Sequence, residues 1–173
     1  MKANLRVGSL LLVLGAAAAF MFVTDGSAAG DSPRAPSIVG TYELVSRELP
    51  NGEKVDPANI VGLISFTETH RNFNIYWKTP TGKDFSISCI REYTLTGKEY
   101  TERNIYTAIN DGDTGEGISY DLSDKSGGNP ITITESGFKI QLPLYDEPMV
   151  HFQGDKFTAT LEGKFVDQWE KVD

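Results

Sequence analysis

From Ile38 to Val172 apolar and polar residues alternate in short runs, and no stretch of helical length carries apolar residues at three-and-four spacing. A period of two sends alternate side chains to opposite faces, so each run reads as a strand with one face to bury. The runs fall at 40–48, 62–67, 72–78, 84–95, 99–109, 118–122, 130–135, 138–142, 150–153, 156–161 and 165–172. Between them stand residues that tolerate φ > 0 or bond their own backbone. Thr81-Gly82-Lys83 and Thr96-Gly97-Lys98 are near-identical turns that make 72–109 a three-strand meander, and Ser136-Gly137 and Gly154-Asp155 read as two more tight hairpins. Residues 111–117, with three glycines and three acids, read as an open, solvated loop. A run of hairpins must protect its outermost edges, which a closed barrel or a sandwich achieves. The length of 84–95 favours the barrel, whose strands tilt and need length. The expected fold is all-β: a single antiparallel up-and-down barrel of about eight to ten strands.

The N-terminus reads differently. Lys2 and Arg6 precede an apolar run from Leu10 to Val23, followed by the small residues Ser27-Ala28-Ala29 and the polar Gly30-Asp31-Ser32-Pro33. This is the layout of a secretory signal peptide over 1–29. The apolar run is shorter than the roughly 20 residues a spanning helix needs, so cleavage near Ala29 and export to the periplasm or medium are expected, with no stable membrane insertion afterwards. Residues 30–37, rich in Ser and Pro, read as a flexible lead, and 38–173 as the folded domain.

The chain carries 16 basic and 24 acidic side chains, a net charge of −8, and the basic ones are scattered singly. Such a surface repels phosphate backbones and anionic lipids, so no nucleic-acid partner is expected. Cys89 has no second cysteine to bridge to and lies in an alternating run, where a buried thiol is usual. His70 and His151 stand apart, without another His, Cys or paired carboxylate at ligand spacing, so neither a metal site nor a cofactor is expected. Asp111, Asp113 and Glu116 do not match a calcium loop. Nucleophile and phosphate-loop motifs are absent, and no catalytic residue is assigned.

The opening Ile38-Val39-Gly40-Thr41-Tyr42-Glu43-Leu44-Val45-Ser46, the following Asn51-Gly52, and the terminal Gly154-Asp155-Lys156-Phe157 with Gln168-Trp169-Glu170-Lys171-Val172 resemble the bacterial lipocalin-like domain family. The resemblance frames nearly the whole domain, with Tyr42 where lipocalins usually have Trp. It implies a calyx-shaped barrel closed at one end, with Trp169 and Tyr42 together plugging that end.

Alternation then assigns faces. Phe73, Ile75 and Trp77 share one face of 72–78, and Phe85, Ile87, Cys89, Arg91, Tyr93 and Leu95 share one face of the next strand. Both sets are expected to point inward, either as plain core or as the wall of a small pocket. The expected ligand-binding residues are Phe73, Ile75, Trp77, Phe85, Arg91, Tyr93 and Tyr106. A buried guanidinium needs an acidic partner, which for Arg91 is Asp167, Glu102 or an anionic ligand, unless a strand bulge turns it to solvent. The expected function is to bind or carry a small hydrophobic or amphipathic molecule. One alternative is a small barrel enzyme of the cyclase, isomerase or hydratase kind, using Arg91, Tyr93, Glu102 and Tyr106. Another is an envelope protein that interacts through its outer surface.

Overall fold

The computed structural model describes residues 36–172, so the signal peptide expected over 1–29 and most of the expected lead lie outside the described residues. The strands are β1 (Gly40–Glu48), β2 (Ile60–Phe66), β3 (His70–Lys78), β4 (Asp84–Leu95), β5 (Glu99–Asp111), β6 (Ile118–Asp121), β7 (Ser126–Thr134), β8 (Gly137–Gln141), β9 (Met149–Gln153), β10 (Lys156–Leu161) and β11 (Phe165–Lys171). A single 3₁₀ turn, Pro57–Asn59, precedes β2; Asp56 caps it by accepting from the Ala58 N–H at 2.8 Å. Every segment read as a strand from alternation is one.

All ladders are antiparallel; most join chain neighbours, β5 pairs with β7 as well as with β6, and the β1–β11 and β4–β5 pairings close the sheet into a ten-stranded barrel with one extra strand. The extra strand is β6. It lies end to end with β7 along β5, since Thr107 faces Asp121 and Arg103 faces Ser126. Between them the fully buried Asn104 bridges the interruption: its side-chain amide donates to the Asp121 and Ser123 carbonyls at 3.2 and 3.0 Å. Its backbone N–H donates to Lys125 O at 2.8 Å.

Two β-bulges decide what faces inward. In β1 the register passes from Leu44↔Trp169 to Ser46↔Gln168, so Val45 is an extra residue. An extra residue inverts the inside-outside alternation beyond it. Tyr42 and Leu44 face inward before the bulge, and Arg47 does so after it. In β5 the register passes from Arg91↔Asn104 to Ile90↔Tyr106, making Ile105 the extra residue. Tyr100, Glu102 and Asn104 face inward before it, Thr107 after it, and Tyr106 is turned to the outer face, where its ring lies 6.3 Å from that of exposed Tyr120.

The barrel end where β1 begins is closed by aromatic packing. Tyr42 meets Phe66, Phe152 and Phe157 edge-on at 6.1, 6.2 and 5.2 Å, and Phe138 stacks on Phe152 at 5.2 Å. Ile38 crosses this floor with 1% exposure, its carbonyl accepting from the Tyr42 hydroxyl at 3.2 Å. Trp169 does not share the floor with Tyr42 as expected; it stands one layer above, stacked on Phe157 at 5.4 Å. Its indole fits because Gly62 on β2 has no side chain: a Cβ there would lie 2.7 Å from Trp169 Cη2.

Candidate functional site

Above the floor the inward faces do not fill the interior, and they enclose a chamber of about 340 Å³. Its wall is apolar and aromatic, with Phe73, Ile75, Trp77, Phe85 and Ile87 from β3 and β4 facing Trp169 on β11. The exposed residues of the lining, Lys164, Tyr145 and Asp146, belong to turns at the end away from the floor, so the chamber meets solvent there. A one-ended apolar chamber of this size lies at the small end of the range for ligand pockets.

Two groups of buried charges stand in this wall. At the open end Arg47 and Asp167 form a bidentate pair, with Nε and Nη2 donating to the two carboxylate oxygens at 2.7 Å each. The guanidinium lies 4.0 Å from the centre of the Phe165 ring and 4.9 Å from that of Trp77, which itself stacks on Phe85 at 4.2 Å. Burial pushes the Asp167 carboxyl above its usual range, and Arg47 only partly offsets this.

Deeper in, Arg71 and Arg91 stand directly opposite each other on β3 and β4. Like charges facing across a ladder repel, so this pair persists only with acids between them. Glu102 on β5 supplies one: its carboxylate lies 2.9 Å from Arg71 Nε and 3.1 Å from Arg91 Nη1, and accepts from the Tyr100 hydroxyl at 2.6 Å. The Arg71 Nε–H is misaligned for a hydrogen bond despite that distance. The second acid is Glu147, which accepts from Arg71 Nη2 at 3.0 and 3.1 Å and also from Arg91 Nη1. Burial disfavours the Arg71 charge, but the Glu102 and Glu147 carboxylates outweigh it and hold its pKa well above the ordinary value.

Glu147 reaches this position from the tip of the β8–β9 hairpin, which folds over the barrel mouth. The Leu142 N–H donates to Pro148 O at 3.3 Å and the Glu147 N–H to Leu144 O at 3.2 Å. The two residues inside that turn, Tyr145 and Asp146, have φ of 55° and 51° without being glycine. Left-handed backbone is costly for a residue with a Cβ, and more so for a bulky one. The turn is held by the Tyr145 side chain, whose hydroxyl donates to Asp121 at 2.8 Å and whose ring lies 5.0 Å from the Arg91 guanidinium and 4.7 Å from the Lys125 ammonium. Gly127 on β7 lets the tip approach, since a Cβ there would meet Pro143 at 3.2 Å.

Of the seven residues expected to contact a ligand, Phe73, Ile75, Trp77 and Phe85 line the chamber. Arg91 is inward and 2% exposed, but faces the network and not the open space; its acidic partner is Glu102 together with Glu147, while Asp167 belongs to Arg47. Tyr93 sits in the floor, stacked on Tyr100 at 5.6 Å, with its hydroxyl donating to Thr67 O. Tyr106 is removed from the interior by the bulge at Ile105. Arg91, Tyr93, Glu102 and Tyr106 therefore do not converge on one point of the chamber. Alternation alone missed Arg47, Arg71 and Glu147. Arg71 was within reach of it, two residues before Phe73 in the same phase.

One further polar group stands in the wall. Trp169 is 3% exposed, and its indole N–H has no hydrogen-bond partner. Buried donors are ordinarily satisfied, so this one is open to an acceptor. Among the described residues no set of three His, Cys, Asp or Glu side chains is placed to hold a metal ion. Comparison with protein-family models, curated proteins and solved structures finds no match to this chain.

Proposed function

We propose that this protein binds a small hydrophobic or amphipathic molecule inside its barrel and serves as a carrier of lipocalin-like type outside the cytoplasm. The observation that carries the reading is the chamber of about 340 Å³, closed by aromatics at one end and open at the other. A wholly filled barrel would be the more stable solution for a chain with no other demand on it, because empty apolar volume forfeits packing. The resemblance of the first and last strands to lipocalin-like domains and the signal-like N-terminus support the same reading.

The test is native mass spectrometry of the protein purified gently from its own host, followed by denaturing extraction and identification of what is released. A stoichiometric apolar or amphipathic compound is expected. It should be lost from Ile87→Trp, which fills the chamber from β4, while circular dichroism stays that of the parent. A clean apo mass, with no uptake from a panel of lipids and metabolites, would refute the proposal.

A further inference from the structure

We infer that Glu147 is an exchangeable carboxylate, and that the ligand's own carboxylate replaces it on Arg71 and Arg91. This rests on the reading of the chamber as a binding site and narrows the ligand to an amphipathic monocarboxylate. Among the four charged groups of the inner network, Arg71, Arg91 and Glu102 come from strands and have side-chain exposures of 2%, 2% and 0%. Glu147 comes from a hairpin tip and its side chain is 16% exposed. It is the one member that can leave without breaking a barrel ladder. Its departure leaves two guanidiniums facing one carboxylate. The vacated position then carries one net positive charge at the inner wall of an apolar chamber.

Such a position selects for a single negative charge with a hydrophobic tail, because bidentate guanidinium contacts suit a carboxylate and most of the remaining wall is apolar. Glu147 and Arg71 both line the chamber, so a carboxylate seated on Arg71 can extend its tail between Trp77, Phe85 and Trp169 without passing through the wall. The tip's remaining ties are the Tyr145 hydroxyl to Asp121, the Tyr145 ring 5.0 Å from the Arg91 guanidinium and 4.7 Å from the Lys125 ammonium, and Gln141 Nε2 to the carbonyls of Leu142 and Glu147. A swing of the tip breaks these and the buried apolar contacts of Leu142 and Leu144, and the ligand's tail replaces the latter.

Decanoic acid and decanol serve as probes of equal tail length, titrated into the full-length protein while following the fluorescence of Trp77 and Trp169, the chain's two tryptophans. The acid is expected to bind at least tenfold tighter than the alcohol. Glu147→Gln should tighten the acid a further several-fold and leave the alcohol unchanged. Because that variant weakens the network and could fail to fold, hydrogen exchange of the parent provides an independent readout. The acid should raise exchange across residues 142–148, and the alcohol should not. Equal binding of acid and alcohol with an unchanged tip would overturn the exchange and leave the chamber reading standing. Binding of neither would refute the chamber reading itself.

Discussion

Replacing Arg47 by methionine isolates the cost of burying Asp167, and its size follows from the proton. Among the described residues Arg47 is the one cation bonded to that carboxylate, whose residue is 2% exposed. Without it Asp167 either stays ionised in a low-dielectric wall or takes up a proton, whichever is cheaper. Protonating a carboxyl of unfolded-state pKa about 3.9 costs about 1.4 kcal/mol for each pH unit above that value, which is roughly 4 kcal/mol at pH 7 and 1.5 kcal/mol at pH 5. That ceiling agrees with the roughly 3–5 kcal/mol observed when one partner of a buried pair is removed. The loss of the guanidinium's contacts with Trp77 and Phe165 adds about 1 kcal/mol at any pH.

The sign is fixed by proton counting. With Asp167 protonated, the folded variant holds one proton more than the unfolded chain, so its stability falls as pH rises by up to about 1.4 kcal/mol per unit. The fall ends once the pH passes the raised folded-state pKa. Urea unfolding of Arg47→Met and parent, followed by far-ultraviolet circular dichroism from about pH 4.5 to 8, gives the difference between them at each pH and cancels the other titrating groups. Asp167→Asn should cost roughly 2–3 kcal/mol with no such slope, because the guanidinium keeps an amide acceptor and both rings. The double variant Arg47→Met with Asp167→Leu should return to within about 1 kcal/mol of the parent. A difference for Arg47→Met that is flat with pH and below about 1 kcal/mol would show that water screens the pair, and the argument for a dry chamber wall would fall with it.

Gly62→Ala places a Cβ 2.7 Å from Trp169 Cη2, and the indole is braced by Phe157 at 5.4 Å, so a cost of about 1–3 kcal/mol and a shifted tryptophan emission maximum are expected in urea titrations. Burial, with Tyr42 and Glu68 nearby, pushes Tyr93 up to about 12, above its value in the unfolded chain. Its contribution to stability is therefore complete below about pH 10 and lost as pH climbs toward 12, and Tyr93→Phe should shift the alkaline unfolding midpoint upward; an unmoved midpoint would refute this. Cys89 is 1% exposed with its thiol pKa raised by burial, so alkylation at neutral pH should proceed only at the rate of unfolding, measured by mass shift against urea.

Period-two alternation sufficed to place every strand and the inward face of β3 and β4, because nothing interrupts the pleat between Phe73 and Trp77 or between Phe85 and Tyr93. It failed where the register steps. Past Val45 simple alternation would send Ser46 and Glu48 inward, yet Arg47 occupies that place; past Ile105 it would keep Tyr106 inside. A bulge adds one residue without any composition of its own, so only a mismatch elsewhere can betray it. One such mismatch was readable: Asp167 lies in phase with Phe165 and Trp169, and an inward carboxylate demands a cation that simple alternation in β1 does not supply. The same reasoning extends to Glu147. Arg71 and Arg91, in phase with apolar neighbours on adjoining strands, require two negative charges, and the strands supply only Glu102. The second has to come from a connection, and the connection that provides it spends left-handed backbone at two non-glycine residues to do so. A charge demanded by the barrel but delivered by a strained hairpin tip is the arrangement that a ligand bearing its own carboxylate can replace.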